Sequence, residues 1–193
     1  MTDSQLIEKY LSGDISSFNT LVWRWEKKIY NFSYRFLGDA ETSKDITQKV
    51  FIRLYKNLDK LKDRSKFSSW IYQITANLCR DELKSSKRKR ALSIESINET
   101  HKNLVEDENF QPDEEVNQMQ LRSLIKDALQ SIPEEQRIVI IMKEYQGLKF
   151  VEIAEALGEP LNTVKSRMYY GLNALRKVFK RWNINQEALQ YEM

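Results

Sequence analysis

Glycine, proline, cysteine and histidine are all scarce in this chain of 193 residues. It has five Gly, three Pro, one Cys and one His. A strand-rich fold needs turn residues about every dozen positions, and so few glycines and prolines do not supply them. The single cysteine, Cys79, cannot form an internal disulfide, which suits a reducing compartment. We therefore expect an all-α protein located in the cytoplasm.

Long apolar runs are also missing. The longest, Ile138 to Met142, is far too short to cross a bilayer. The first residues, Met1 to Ser4, do not form a basic segment followed by an apolar one, which a secretory signal requires. The sequence therefore predicts no membrane insertion.

The residues that enzymes use most often are absent or isolated. The five glycines do not form a phosphate-binding loop. His101 and Cys79 stand alone, so they cannot supply a metal site or a Cys–His pair. Neighbouring acids such as Asp81 and Glu82 diverge on a helix. We expect no catalytic residue, metal, cofactor or small-molecule substrate.

Charge changes sign along the chain, although the net charge is only +3. Six basic residues lie between Arg80 and Arg90, against two acidic ones. Eight acidic residues between positions 95 and 115 are opposed by Lys102 alone, and positions 165–181 are basic again. Two basic surfaces joined by an acidic segment form an organised pattern.

Apolar residues recur at helical spacing in the first half of the chain. The three stripes consist of Phe18, Leu21, Val22, Trp25, Ile29, Phe32 and Phe36, then Ile46, Val50, Phe51, Leu54 and Leu58, then Phe67, Trp70, Ile71, Ile74 and Leu78. Gly38 is expected to end the first helix and Asp39 to cap the next. We predict one helical domain over residues 1–90.

Helical periodicity fades after this domain and returns later. Residues 91–118 cannot bury enough apolar surface to offset their ordering entropy, so we expect a flexible acidic linker. A second helical domain is predicted over residues 119–183, followed by a tail, 184–193. Within it, Pro133 followed by two glutamates is typical of a helix N-terminus.

A helix-turn-helix pattern follows in the second domain. Its short first helix has Val151, Ile153, Ala154 and Leu157 on the expected inner side, and Gly158-Glu159-Pro160 forms the turn. The second helix is expected to begin with Asn162 or Thr163 as its cap. We expect Val164, Met168, Leu172 and Leu175 to face inward and Asn162, Lys165, Ser166 and Tyr169 to face outward, where they would reach base edges in a major groove. A helical hairpin with a solvated basic face is the alternative.

Basic residues in the first domain are a second candidate for DNA contact. The helix from Arg80 to Arg90 could contact phosphates, although a solvated charged helix is an equally good interpretation. Aromatic residues among lysines, such as Tyr55 and Tyr72, would suit single-stranded DNA. The spacing of Phe67 and Trp70 favours core packing for those two.

Several stretches together resemble the extracytoplasmic-function (ECF) sigma factors. In the first domain these are DITQKVFIR (45–53) and KFSSWIYQITAN (66–77), followed by the basic segment. In the second they are IPEEQR (132–137), EIAEALG (152–158) and NTVKSR (162–167). The resemblance covers most of residues 5–182. It implies a non-enzymatic factor that binds core RNA polymerase and promoter DNA, as duplex and as melted strand, to start transcription.

The resemblance also implies site residues by position. Those matched to the helix that docks on the polymerase largest subunit are Asp45, Gln48 and Phe51. Those matched to the −10 element are the loop residues Leu61, Lys62, Asp63, Arg64, Ser65 and Lys66, the base readers Gln73 and Asn77, and the phosphate contacts Arg80 and Lys84. Those matched to the −35 element are Asn162, Thr163, Lys165, Ser166, Arg167, Tyr169 and Tyr170.

Four positions depart from the family pattern. Asn162 stands where glycine is usual, Tyr170 stands where a basic residue is common, and Gly171-Leu172 replaces a typical Ala-Arg. We expect these changes to alter the −35 preference. The resemblance further implies that an anti-sigma factor binds the chain and that the acidic linker, including Glu106, Asp107 and Glu108, runs through the polymerase cleft.

Two other functions remain open from the residues alone. A helix-turn-helix repressor or activator would bind duplex operators as a dimer, without polymerase. A helical adaptor would bind neither DNA nor polymerase. Only a sigma factor would need both the docking helix and the basic loop.

Overall fold

A computed structural model of the chain describes residues 1–94 and 114–183, where every regular element is helical. The first part consists of α1 (Asp3–Leu11), α2 (Ile15–Leu37), α3 (Ala40–Asn57) and α4 (Phe67–Ile94), with 3₁₀ turns at Leu58–Lys60 and Arg64–Lys66. The second consists of α5 (Glu114–Gln130), α6 (Glu134–Ile140), α7 (Phe150–Leu157) and α8 (Leu161–Arg181), and a π-helical turn, Ile141–Tyr145, continues α6. The predicted all-α fold with two helical domains is confirmed.

Parts of the sequence predictions fall outside the described residues. Most of the predicted linker, including Glu106, Asp107 and Glu108, lies there, as do His101 and the tail 184–193. α5 begins at Glu114, inside the segment predicted as linker. Over residues 1–94 and 114–183, no helix combines the length and apolarity that a membrane span requires.

Capping residues determine where α2 and α3 begin and end. Asp14 caps α2 and accepts a hydrogen bond from the backbone N–H of Ser16 at 3.0 Å. Gly38 has φ +81°, a left-handed conformation that glycine adopts at little cost, and it ends α2. Asp39 then caps α3 through the N–H of Thr42 at 2.7 Å. The predicted boundary at Gly38 and Asp39 is confirmed.

The predicted stripes form the core of the first domain. Leu21, Ile29, Phe32 and Phe36 of α2 are fully buried, together with Ile46, Val50 and Leu54 of α3 and Phe67 and Ile71 of α4. Trp70 is half-buried at the edge of this core. Tyr72 is only 2% exposed. Its ring therefore cannot serve as the stacking surface that its basic neighbours suggested.

Three predictions for the helix-turn-helix are wrong in detail. Val151 is 65% exposed, and the buried residues of α7 are Ile153, Ala156 and Leu157. On α8, Leu172 is 44% exposed and Gly171 takes its place in the core. The N-cap of α8 is Pro160, because the helix already begins at Leu161, so neither Asn162 nor Thr163 is the cap.

Gly171 allows α6 and α8 to pack closely. A Cβ atom on Gly171 would lie 2.8 Å from Cδ1 of Ile140 and 3.1 Å from Cβ of Gln136. Both distances are shorter than ordinary van der Waals contact. The departure from alanine at this position is therefore explained by helix packing, and its effect on the −35 preference stays a prediction.

The two domains contact each other at the C-terminal end of α2. Gln130 donates its amide to the backbone carbonyls of Arg35 at 3.0 Å and Phe36 at 3.1 Å. Arg137, 7% exposed, donates to the carbonyl of Phe36 at 2.7 Å and to Oε1 of Gln130 at 2.6 Å. The last carbonyls of a helix lack partners within it. Side chains of the second domain therefore complete the end of α2.

Candidate partner-binding surfaces

A groove between α2 and α3 forms an open cavity of about 1160 Å³. Gln48 and Phe51, two of the predicted docking residues, line it. Asp45 is exposed one turn earlier on α3. Phe51 is half-buried and packs on the core, which agrees with the core interpretation of this residue, and its docking role stays a prediction. The groove is open to solvent and mostly apolar, which suits a helical partner.

Trp23 is the most exposed large apolar side chain of this surface. It is 82% exposed and lines the groove together with Ile52 and Tyr55, which are 48% and 59% exposed. None of the three was predicted as a docking residue. Trp23 does not share the apolar face of α2 that carries Leu21 and Trp25. The sequence feature that could have indicated Trp23 as a docking residue is a large aromatic side chain on the polar face of α2.

The loop before α4 is held by its own hydrogen bonds. Asp63 accepts from the N–H of Ser65 at 3.0 Å and from its hydroxyl at 2.6 Å, and these bonds lower the pKa of the Asp63 carboxyl. Arg64 donates to the carbonyls of Leu61 and Lys62, both at 2.9 Å. Leu61 is buried beneath the loop. Of the predicted contacts here, Asp63, Arg64 and Leu61 thus build the loop.

The remaining loop residues present polar groups to the surface. Lys62, Ser65 and Lys66 are exposed. Lys66 forms an ion pair with Glu155 of α7, which raises the pKa of the Lys66 ammonium group. A cavity of about 290 Å³ opens beside this pair.

One face of α4 carries the other predicted −10 contacts. Gln73, Asn77, Arg80 and Lys84 are spaced three or four residues apart on one continuous helix, so they lie along one face. Asn77 and Lys84 are exposed, and Gln73 and Arg80 are half-buried. The structure thus brings together the predicted base readers and phosphate contacts in one row leading from the loop.

The first turns of α8 form a third surface. Asn162, Lys165, Ser166 and Tyr169 are exposed, so their predicted outward orientation is confirmed. Tyr169 and Tyr170 are 65% and 60% exposed, and their ring centroids lie 5.6 Å apart.

Two of the predicted −35 residues are less accessible. Thr163 and Arg167 are half-buried. Nη1 of Arg167 lies 3.0 Å from Oε1 of Glu159, so this guanidinium ties α8 to the turn that precedes it. Arg167 therefore has a structural contact that the sequence pattern did not indicate.

Both domains match known families. Residues 21–89 match Sigma-70 region 2, and residues 122–175 match Sigma-70, region 4. The chain is 33% identical to the ECF RNA polymerase sigma factor SigW of Bacillus subtilis over 174 residues, which are 89% of this chain and 93% of SigW. This chain belongs to the ECF RNA polymerase sigma factors. It is also 30% identical to the ECF RNA polymerase sigma-E factor of Escherichia coli (strain K12), with 91% and 93% of the two chains covered.

Solved structures share the fold of this sigma factor. CnrH, in complex with the cytosolic domain of CnrY, has a TM-score of 0.68 at 19% identity, covering 93% of this sigma factor and 97% of CnrH. RpoE of Bartonella quintana, in complex with the anti-sigma factor NepR, has a TM-score of 0.61 at 19% identity, covering 93% and 100% of the two chains.

Membership of this family settles the functional class. The protein is a transcription initiation factor that binds core RNA polymerase and promoter DNA, and it is not an enzyme. The predicted family and function are confirmed. The alternatives of a dimeric repressor and of an adaptor without a DNA role are wrong.

Proposed function

We propose that the three surfaces divide the work of this sigma factor. The groove between α2 and α3 holds core RNA polymerase through Asp45, Gln48, Phe51 and the exposed Trp23. The loop and the polar face of α4 bind the −10 element. The first turns of α8 bind the −35 element. The observation that carries this proposal is that these side chains fall into three separate sets, each on a well-defined element and each with exposed members.

The chemistry of each surface supports its role. A helix of the polymerase fits an apolar groove, and an exposed tryptophan is a common energetic centre of such contacts. Amide side chains such as Gln73 and Asn77 read base edges, while Arg80 and Lys84 suit phosphates. At the −35 surface, Lys165 and Ser166 have the length and polarity to reach bases in the major groove.

Promoter melting needs binding energy and no covalent step. Extruding a base from the stack costs a few kcal/mol, and a protein surface that binds the extruded base offsets this. Contacts of about 1–3 kcal/mol per base are large enough. The rigid loop at 61–66 is the proposed site of capture, with Lys62 and Lys66 as its cations.

Four further parts of the proposal concern organisation and partners. The domain limits are 1–90, 91–118 as linker, 119–183, and 184–193 as tail, and the linker limits include the end of α4 at Ile94 and the start of α5 at Glu114. The linker passes through the polymerase cleft, as its acidity suggests. The protein acts in the cytoplasm, where RNA polymerase is found. An anti-sigma factor is a partner, because RpoE was solved in complex with the anti-sigma factor NepR, and CnrH in complex with the cytosolic domain of CnrY.

Run-off transcription with core polymerase and start-site mapping tests the division of work. Trp23→Ala should weaken core binding about 30-fold, as loss of an interface centre does. Asn77→Ala and Lys165→Ala should leave core binding intact and reduce promoter-specific transcripts, Lys165→Ala by about 5- to 100-fold. Lys9→Ala, an exposed lysine on α1, is the matched control. Wild-type core affinity in Trp23→Ala, or equal transcription by Lys165→Ala and Lys9→Ala, would refute these roles.

A further inference from the structure

Two exposed aromatic rings lie side by side on α8. Tyr169 and Tyr170 are 65% and 60% exposed. Their ring centroids are 5.6 Å apart and the ring planes are inclined by 71°, an edge-to-face arrangement that is favourable for aromatic pairs. Each ring therefore limits the positions open to the other. Exposed tyrosines, which have an apolar body and a polar tip, are common at binding surfaces, and this makes the pair a candidate for contact with a partner.

The two rings differ in what precedes them on the helix. Long side chains of a helix lean toward its N-terminus, so each ring lies over the residue four positions earlier. For Tyr169 that residue is Lys165, whose long side chain is exposed. For Tyr170 it is Ser166, whose hydroxyl donates to the backbone carbonyl of Thr163 at 2.9 Å. The short side chain of Ser166 therefore leaves the ring of Tyr170 accessible from the first turns of α8.

Cations are sparse beside the pair. Between Lys165 and Arg176 the sequence has a single one, Arg167. Its Nη1 atom lies 3.0 Å from Oε1 of Glu159, so its charge is already paired within the domain. A guanine in the major groove is most often read by an arginine or lysine that donates to O6 and N7, whereas apolar groups contact the C5-methyl of thymine. The chemistry of the pair therefore favours thymine over guanine.

We propose that Tyr170, held edge-on by Tyr169, selects a thymine in the −35 element through contact between its ring and the C5-methyl group of that base. The inference rests on the −35 role of α8 suggested above and adds the identity of one base. Lys165 supplies charge and hydrogen bonds at the first turns, and the tyrosine pair supplies apolar contact one turn further along. Because this contact carries no charge, it adds specificity without neutralising a phosphate.

Selection from random duplex DNA by the reconstituted holoenzyme tests this preference. Holoenzymes with the wild-type chain and with Tyr170→Arg are incubated with the same library, and the bound duplexes are sequenced. We expect one position at which wild type enriches thymine and Tyr170→Arg enriches guanine, by about 5- to 100-fold. Ser131→Arg adds the same charge at an exposed position after α5, and this control should select the wild-type sequence. Identical selection by wild type and Tyr170→Arg would overturn the proposal.

Removal of the methyl group alone tests the contact itself. In a duplex of the selected sequence, deoxyuridine replaces the thymine and leaves the base pairing unchanged. The wild-type holoenzyme should bind this duplex about four-fold more weakly, which is the value of one buried methyl group. Tyr170→Ala should bind both duplexes equally, and Tyr170→Phe, which keeps the ring, should retain the preference. Equal binding of both duplexes by wild type, or loss of the preference in Tyr170→Phe, would refute the contact.

Two controls separate this inference from other roles of the pair. Circular dichroism should show wild-type helicity for every Tyr170 variant, because the side chain is exposed. Weaker binding of core polymerase by Tyr170→Ala, at unchanged base preference, would assign the ring to a protein contact and overturn the inference. Failure of the wild-type holoenzyme to select any sequence would instead count against the proposed function. A selected −35 element that does not respond to the Tyr170 variants would count against this inference alone.

Discussion

Replacing Gly171 with alanine sets two effects of opposite sign against each other. In an exposed helix, alanine is about 1 kcal/mol more favourable than glycine. Here the new Cβ would lie 2.8 Å from Cδ1 of Ile140, a buried side chain, and 3.1 Å from Cβ of Gln136. Overpacking of this kind costs about 1–3 kcal/mol. We therefore expect Gly171→Ala to lower the free energy of unfolding by about 1 kcal/mol.

A companion variant shows whether the clash is the cause. Ile140→Val removes Cδ1 and alone costs about 0.5–1.5 kcal/mol. In the double variant the alanine methyl can occupy the vacated space, so the two costs should couple favourably by about 1 kcal/mol. Urea unfolding followed by circular dichroism measures all four proteins, and Gly171→Ala should melt about 2–4 °C lower than wild type. A gain in stability for Gly171→Ala, or strictly additive costs, would refute the reasoning.

Three further predictions concern buried or capping groups. Arg137→Met should lower the free energy of unfolding, measured in urea, by about 3 kcal/mol, because the carbonyl of Ile132 and Oε1 of Gln130 lose the guanidinium as their donor. A loss under about 1 kcal/mol would contradict this. Asp39→Ala should cost about 1 kcal/mol at neutral pH. The hydrogen bond from Thr42 lowers the pKa of Asp39 in the folded state. The difference in free energy of unfolding between wild type and Asp39→Ala should therefore be fully present above the unfolded pKa, and should disappear as the pH falls through the folded pKa. A difference that does not change with pH would disprove the assignment of Asp39 as the cap. Burial raises the pKa of the Cys79 thiol to about 12, so iodoacetamide should label it only after unfolding, and rapid labelling of the native protein would show that it is accessible.

Helix positions were predictable because their causes are local. The spacing of the apolar residues, the capping residues and the residues that end a helix all act within a few positions of each other. Gly38, which ends α2, and Asp39, which caps α3, are one example. The errors in α7 and α8 have a geometric reason. Val151 lies two residues before Ile153, about 200° around a helix, so both cannot face the core. Leu172 was expected in the core, but Gly171 is buried there instead. The gap where α6 approaches α8 has room for glycine and not for a larger residue.

Contacts between distant parts of the chain could not be predicted. Glu155 looks like any solvated glutamate on a short helix, and only the fold places it on Lys66. Gln130 and Arg137 likewise bind the end of α2 across about a hundred positions of sequence. The family resemblance supplied candidate site residues by position, but it did not reveal that Arg64 and Arg167 are held by intramolecular partners.

In the function proposed above, the loop at 61–66 meets a nucleotide, and its own hydrogen bonds already hold it in one shape. Its turn is closed by Asp63 and Ser65, and Arg64 is bound to the loop's own carbonyls. Ordering a free backbone costs about 1–2 kcal/mol per residue, and a preformed loop avoids this loss when it binds. Such a surface cannot adapt its outline to a different base. Under the proposed role of this loop, its rigidity would favour selectivity over tolerance for the promoter base that it binds.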